Sequence, residues 1–151
     1  MPELRIKLLH PAAKPPTRAT DFDIGLDLYG VEDVTLWPGF TAIVPTGIAV
    51  QCDPWASLEI WPRSGLSSRH LMTHRELLRP MSDPGAGLVD PGYTGEIRVV
   101  IHNLGESSYQ IKAGDRVAQL KVAPAHRPNV VVVETLDATE RGANGFGSSG
   151  A

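Results

Sequence analysis

The feature that most constrains this sequence is an apolar pattern of period two, repeated in short runs and broken by Gly, Pro, Asp and Asn. Leu4, Ile6 and Leu8 alternate with Arg5 and Lys7, and Ile24, Leu26 and Leu28 alternate with Gly25, Asp27 and Tyr29. Successive side chains of an extended strand point to opposite faces, so the alternation predicts half-buried strands. Further runs lie at residues 34–37, 40–44, 47–50, 57–61, 96–103, 109–111, 116–122 and 130–136. Strands so short and so regularly punctuated predict an all-β sandwich, jelly roll or barrel. With 15 Gly and 13 Pro in 151 residues, turn formers are abundant, and the length suits one domain with a real core.

One stretch departs from the pattern. Between Ser64 and Arg79 the leucines lose their alternation, and Thr73-His74-Arg75-Glu76 fits a capping box ahead of a turn ended by Pro80. This predicts one or two short helices near residues 64–79. The run Val130–Val133 has no polar face, so it requires cover, either from a second subunit or as a central strand buried on both sides in its own chain.

Charge and cysteine content narrow the function. Fourteen Lys and Arg against 17 Asp and Glu give a net charge of -3, so no broad basic surface is expected to hold a nucleic-acid backbone. A single cysteine, Cys52, excludes an internal disulfide and a thiolate metal cluster. With no signal-like or membrane-length apolar run, the expectation is a soluble intracellular (cytoplasmic) protein without a membrane partner.

Several local constellations carry two readings each. Residues 142–150 hold four glycines with Ser148 and Ser149, either a terminal arm without a fixed role or a cradle of backbone N–H groups and hydroxyls for phosphate. Arg141 adds a charge to that cradle, and Phe146 is placed to stack on a nucleobase. Ser64, between Arg63 and Gly65, reads as a helix cap or as part of a phosphate-binding turn. Asp90-Pro91-Gly92 is turn chemistry, and Gln119 taken alone is a surface amide. Asp27 sits mid-strand, where Asp is depleted; it is either an outward charge or a carboxylate that holds Mg²⁺ through water. His70 and His74 stand four apart but lack the Glu of a zincin helix and a third ligand, so zinc is not expected.

In combination, DIGLDLY (23–29), PRSGLSSRH (62–70), GLVDPGYTGEI (87–97), GDRVAQL (114–120) and RGANGFGSSG (141–150) resemble the five motifs of the homotrimeric dUTP pyrophosphatase (dUTPase) family. The resemblance implies a distorted jelly-roll domain over residues 1–140, and a flexible Gly-rich arm over 141–151 that completes the active site of another subunit. It implies hydrolysis of dUTP to dUMP and pyrophosphate by Mg²⁺-assisted, in-line attack of water on the α-phosphorus. Asp90 would be the base that activates water, and Gln119 would join the catalytic group by positioning water or phosphate. Arg63, Ser64 and Gly65 would contact the phosphates, and Tyr93 would pack under the deoxyribose. Arg141, Phe146, Gly147, Ser148 and Ser149 would close the site. Asp27 would assist in holding hydrated Mg²⁺.

The chain departs from the family at three places. Pro84 stands where a base-reading Asn is usual, the stretch between His70 and Gly87 is longer than usual, and Asn144 replaces an arm glycine. Two alternatives share the fold. One is a dCTP deaminase-like enzyme, although Ser68 and Val100 stand where that family has an arginine and a catalytic glutamate. The other is a catalytically silent nucleotide-binding regulatory module.

Overall fold

A computed structural model describes residues 3–63, 65, 71–73, 87–140 and 142–143 of the chain. Ten strands follow in order: β1 Leu4–Leu8, β2 Leu26–Tyr29, β3 Val34–Leu36, β4 Thr41–Cys52, β5 Ala56–Trp61, β6 Leu71–Thr73, β7 Leu88–Val89, β8 Glu96–Asn103, β9 Tyr109–Ile111 and β10 Arg116–Pro124. The period-two pattern decides which face each strand buries. In β5, Ala56, Leu58 and Ile60 are buried while Ser57, Glu59 and Trp61 are half-exposed; in β8, Ile97, Val99, Ile101 and Asn103 are buried.

These strands form two four-stranded sheets, in the orders β1-β4-β8-β6 and β2-β10-β5-β7, and a ribbon of β3 with β9. All the pairings are antiparallel. Leu28, Leu58 and Leu120 from one sheet and Val44, Val99 and Ile101 from the other belong to one core cluster, so the sheets share a single interior. The architecture is the predicted all-β, jelly-roll-like fold. No helix among the described residues is long and apolar enough to cross a membrane.

Two buried polar residues shape the frame. Asn103, at the inner end of β8, donates through Nδ2 to the carbonyls of Leu36 and Ser107, both at 2.9 Å, and accepts at Oδ1 from the Gly105 N–H. Its amide is thus satisfied inside the core, where a missing partner would cost about 1–3 kcal/mol. Thr46 donates to the Ile97 carbonyl. One residue later, Gly47 has φ +65° at a register shift in β4, and a Cβ there would come within 2.8 Å of His10 Cβ and 2.9 Å of Val31 Cγ1. Only glycine suits both this backbone conformation and this space.

Two expectations are overturned by the structure. Within the range expected to be helical, Leu71–Thr73 is a strand, paired with Ile101–Asn103 of β8. The backbone groups along that side of β8 are satisfied by a strand and not by a helix, and this outweighs local helix signals. Gly65 is described as helical, and the rest of 64–79 lies outside the described residues. Leu88–Val89, just before the Asp90-Pro91-Gly92 turn, adds a short edge strand to β5. Residues 130–133, expected as a strand, have no strand pairing among the described residues, and Val130, Val131, Val132 and Val133 are 91%, 73%, 95% and 53% exposed. Burial of that run within its own chain is therefore overturned.

Candidate active site

Strands β2, β10 and β5 lie side by side and bring three polar or aromatic positions into one row. Gln119 of β10 faces Asp27 of β2 on one side and Trp61 of β5 on the other. Directly opposed residues of antiparallel strands share a face, so the first and fourth sequence motifs meet by register.

Asp27 is only 5% exposed. A carboxylate this deep persists only when paired. Arg63 Nε donates to its Oδ1 at 3.0 Å and Arg116 Nη1 donates to its Oδ2 at 3.2 Å. Arg63 Nη1 also donates to the Arg116 carbonyl at 3.2 Å. The carboxylate is thus a clasp between two guanidiniums, the first carried just beyond β5 and the second at the start of β10. Together with Gly65, Tyr109, Asp115 and Val117, the two arginines line a cavity of about 370 Å³. Such a surface presents directed N–H donors suited to a phosphate oxygen.

Two further residues, Gly25 of the first motif and Arg116 of the fourth, shape the site. A Cβ at Gly25 would sit 3.1 Å from Gln119 Cδ and 3.2 Å from its Oε1, so this glycine leaves the space that the Gln119 carboxamide fills. Arg116 is brought to Asp27 by an irregularity in the pairing of β10 with β2, between Arg116 and Ala118. Bulges of this kind re-aim a side chain, and linear spacing does not reveal them. The available signal was a mid-strand Asp needing a cation, with Arg116 at the head of a neighbouring strand.

Asp90 and Tyr93 form a second group. The Tyr93 N–H donates to the Asp90 carbonyl at 2.9 Å, closing the Asp90-Pro91-Gly92-Tyr93 turn, and the phenol donates to the Glu96 carbonyl at 3.0 Å. The turn follows β7, whose start is fixed by the Ile60 N–H on the Gly87 carbonyl at 2.7 Å. Asp90 and Tyr93 rim a cavity of about 420 Å³ walled by Ile43, Leu88, Val89 and Val100. The Glu96–Arg98 ion pair also borders it; mostly apolar walls, an aromatic ring and the exposed Asp90 carboxylate suit a flat heterocycle with a polar reaction at its edge.

Among the described residues, the arginine cavity and the Asp90 cavity share no lining residue. One chain therefore brings Asp27, Arg63, Gly65 and Gln119 to one place, and Asp90 and Tyr93 to another. Ser64, Pro84, Arg141, Phe146, Gly147, Ser148 and Ser149 lie outside the described residues, as do Ser68, His70 and His74.

No group of three or more His, Cys, Asp or Glu among the described residues could hold a metal ion. Asp27 itself has each oxygen on an arginine, so the described residues build no protein cage for a divalent cation. Cys52 is buried, its Sγ 3.8 Å from the Ala56 carbonyl that accepts from it, and burial pushes the thiol pKa up. It therefore stays protonated and inert near neutrality.

Comparison with known proteins gives this geometry a family. The dUTPase family model matches residues 12–150. A deoxyuridine 5'-triphosphate nucleotidohydrolase of Solibacter usitatus is 42% identical over 98% of this chain and 96% of its own. The dUTPase of Staphylococcus bacteriophage 80alpha, solved with dUPNHPP, superposes with a TM-score of 0.86 at 30% identity, covering 99% of each chain. A variant dUTPase of phage phi11 of S. aureus, described for its coordination of a structural Mg(II) ion, has a TM-score of 0.78 at 26% identity, covering 90% of this chain and 99% of that one. Motifs, fold and relatives agree, and the chain belongs to the dUTPase family.

Proposed function

We propose that this protein hydrolyses dUTP to dUMP and pyrophosphate at sites shared between subunits of a homotrimer. The observation that carries this reading is the division of the site residues: a largely apolar cavity with Asp90 and Tyr93, and a separate donor-rich cavity with Arg63 and Gly65 beside Asp27 and Gln119. A nucleotide needs both, so one subunit supplies the base cavity and another the phosphate surface. The exposed Val130–Val133 run supports the same assembly, since an apolar stretch of this kind requires cover from another chain.

Within this site the protein contributes alignment and charge more than covalent chemistry. Asp90, as an exposed carboxylate, accepts a proton from the water that attacks the α-phosphorus. Tyr93 is held by its bond to the Glu96 carbonyl, so its ring forms a fixed floor under the sugar and excludes a 2′-hydroxyl. Arg63, Ser64 and Gly65, with Gln119, hold phosphate oxygens and water. The arm closes the site through Arg141, Gly147, Ser148 and Ser149 on the phosphates and Phe146 on the base. Among the described residues β7 is an edge strand, so its outer backbone groups can read uracil in place of the Asn that Pro84 replaces. Mg²⁺ would come with the triphosphate as part of the substrate and would neutralise phosphate charge there; Asp27, whose two oxygens are held by Arg63 and Arg116, would assist through water.

The test is pyrophosphate release from dUTP, dCTP, dTTP and UTP under identical conditions with Mg²⁺. Turnover of dUTP well above the other three is expected. Ammonia release from dCTP would make the chain a deaminase, and tight dUPNHPP binding without turnover would make it a nucleotide-binding module.

A further inference from the structure

We propose that Trp61 is a positioning residue for the reaction, which holds the Gln119 carboxamide in the orientation that aligns water and phosphate. This rests on the reading of Gln119 as part of the catalytic group. Trp61 is the last residue of β5, and by register it stands directly across from Gln119 of β10, on the flank opposite Asp27. Directly opposed side chains of an antiparallel pair have Cβ atoms about 4.5–5.5 Å apart on one face of the sheet, within easy reach of an indole.

The indole is itself held at two points. Its Nε1 donates to Glu59 Oε2 at 2.7 Å, and the Lys121 ammonium lies over the ring, 5.5 Å from its centroid. Lys121 Nζ is also 3.7 Å from the same Glu59 oxygen, so carboxylate, cation and ring fix one another on the outer face of the sheet. Gln119 is held differently. Both oxygens of Asp27 are engaged by Arg63 and Arg116, so the β2 side offers Gln119 shape and not charge: the space at Gly25, where a Cβ would sit 3.1 Å from Gln119 Cδ. A carboxamide placed by packing needs a wall on its other flank, and the anchored indole stands there. Among the described residues Trp61 lines neither the arginine cavity nor the Asp90 cavity, so its effect on the reaction passes through Gln119.

The experiment measures kcat for dUTP with Mg²⁺, and dUPNHPP affinity, for the full-length wild-type protein, Trp61→Leu, Trp61→Phe, Gln119→Ala and the double variants of Gln119→Ala with each Trp61 substitution. Trp61→Leu removes the ring; it is expected to lower kcat about tenfold, to leave dUPNHPP affinity within about twofold of wild type, and to cost little more once Gln119 is replaced. Trp61→Phe keeps a flat apolar ring without the N–H bond to Glu59, so its kcat is expected between wild type and Trp61→Leu, and it carries the same test if Trp61→Leu does not fold. A folded variant of either kind with undiminished kcat would overturn the assignment. Losses at Trp61 and Gln119 that simply add would also overturn it, as would a fall in kcat matched by an equal fall in dUPNHPP affinity, since Trp61 would then support the binding surface and not Gln119. A wild-type protein without dUTP turnover would instead defeat the proposed function itself.

Discussion

Replacing Asp27 by Asn removes one negative charge from between two arginines while keeping the side-chain shape. The Asp27 side chain is 7% exposed, that of Arg63 23% and that of Arg116 48%. An amide offers a carbonyl to one guanidinium but turns an NH2 group toward the other, so one charge-assisted bond becomes a donor facing a donor. Such bonds contribute about 1.5–3 kcal/mol each, and the exposure of Arg116 lowers its share. The expected loss is about 2–4 kcal/mol, which in a chain of this length lowers Tm by roughly 5–15 °C. Thermal unfolding at fixed protein concentration measures it, with the KM for dUTP measured in parallel and expected to rise because Arg63 loses its anchor. A Tm within about two degrees of wild type together with an unchanged KM would refute the reasoning that Asp27 organises this cavity.

Further perturbations separate the remaining roles. Asp90→Asn is expected to lower kcat by about 10²-fold or more while leaving dUPNHPP binding largely intact; undiminished turnover removes Asp90 from the reaction. Gly25→Ala places a methyl group 3.1 Å from Gln119 Cδ, and the displaced amide is expected to reduce kcat about tenfold. In that case adding Gln119→Ala to Gly25→Ala costs little more, whereas fully additive losses show that the two residues act apart. Deleting residues 141–151 is expected to leave the assembly folded by circular dichroism and gel filtration but to reduce turnover strongly, and a collapse of the fold would make the arm structural.

How much was legible in the sequence depended on whether the determining contact was local. β5 and β8 were readable because alternation along one strand decides burial, and Ile97, Val99 and Ile101 follow it without exception. The edge strands β6 and β7 were not, because their pairing is set by open ladders on β8 and β5, which no local pattern announces. Asp27 stood out as a charge in a strand, and its two guanidinium partners explain it. Arg116 was missed because a register irregularity brings it there. The valines at 130–133 need cover by their composition, and among the described residues no strand pairs with them.

The central claim is that one catalytic site is assembled from two subunits, and subunit complementation tests it most directly. Arg63→Gln and Asp90→Asn chains, each inactive alone, are mixed in equal amounts, unfolded and refolded together, and assayed for pyrophosphate release from dUTP. If Arg63 and Asp90 meet across an interface, random assembly leaves about a quarter of the sites with both native residues, and activity returns toward that fraction of wild type. If both residues act within the same chain, every site carries one defect and the mixture stays as inactive as its parts.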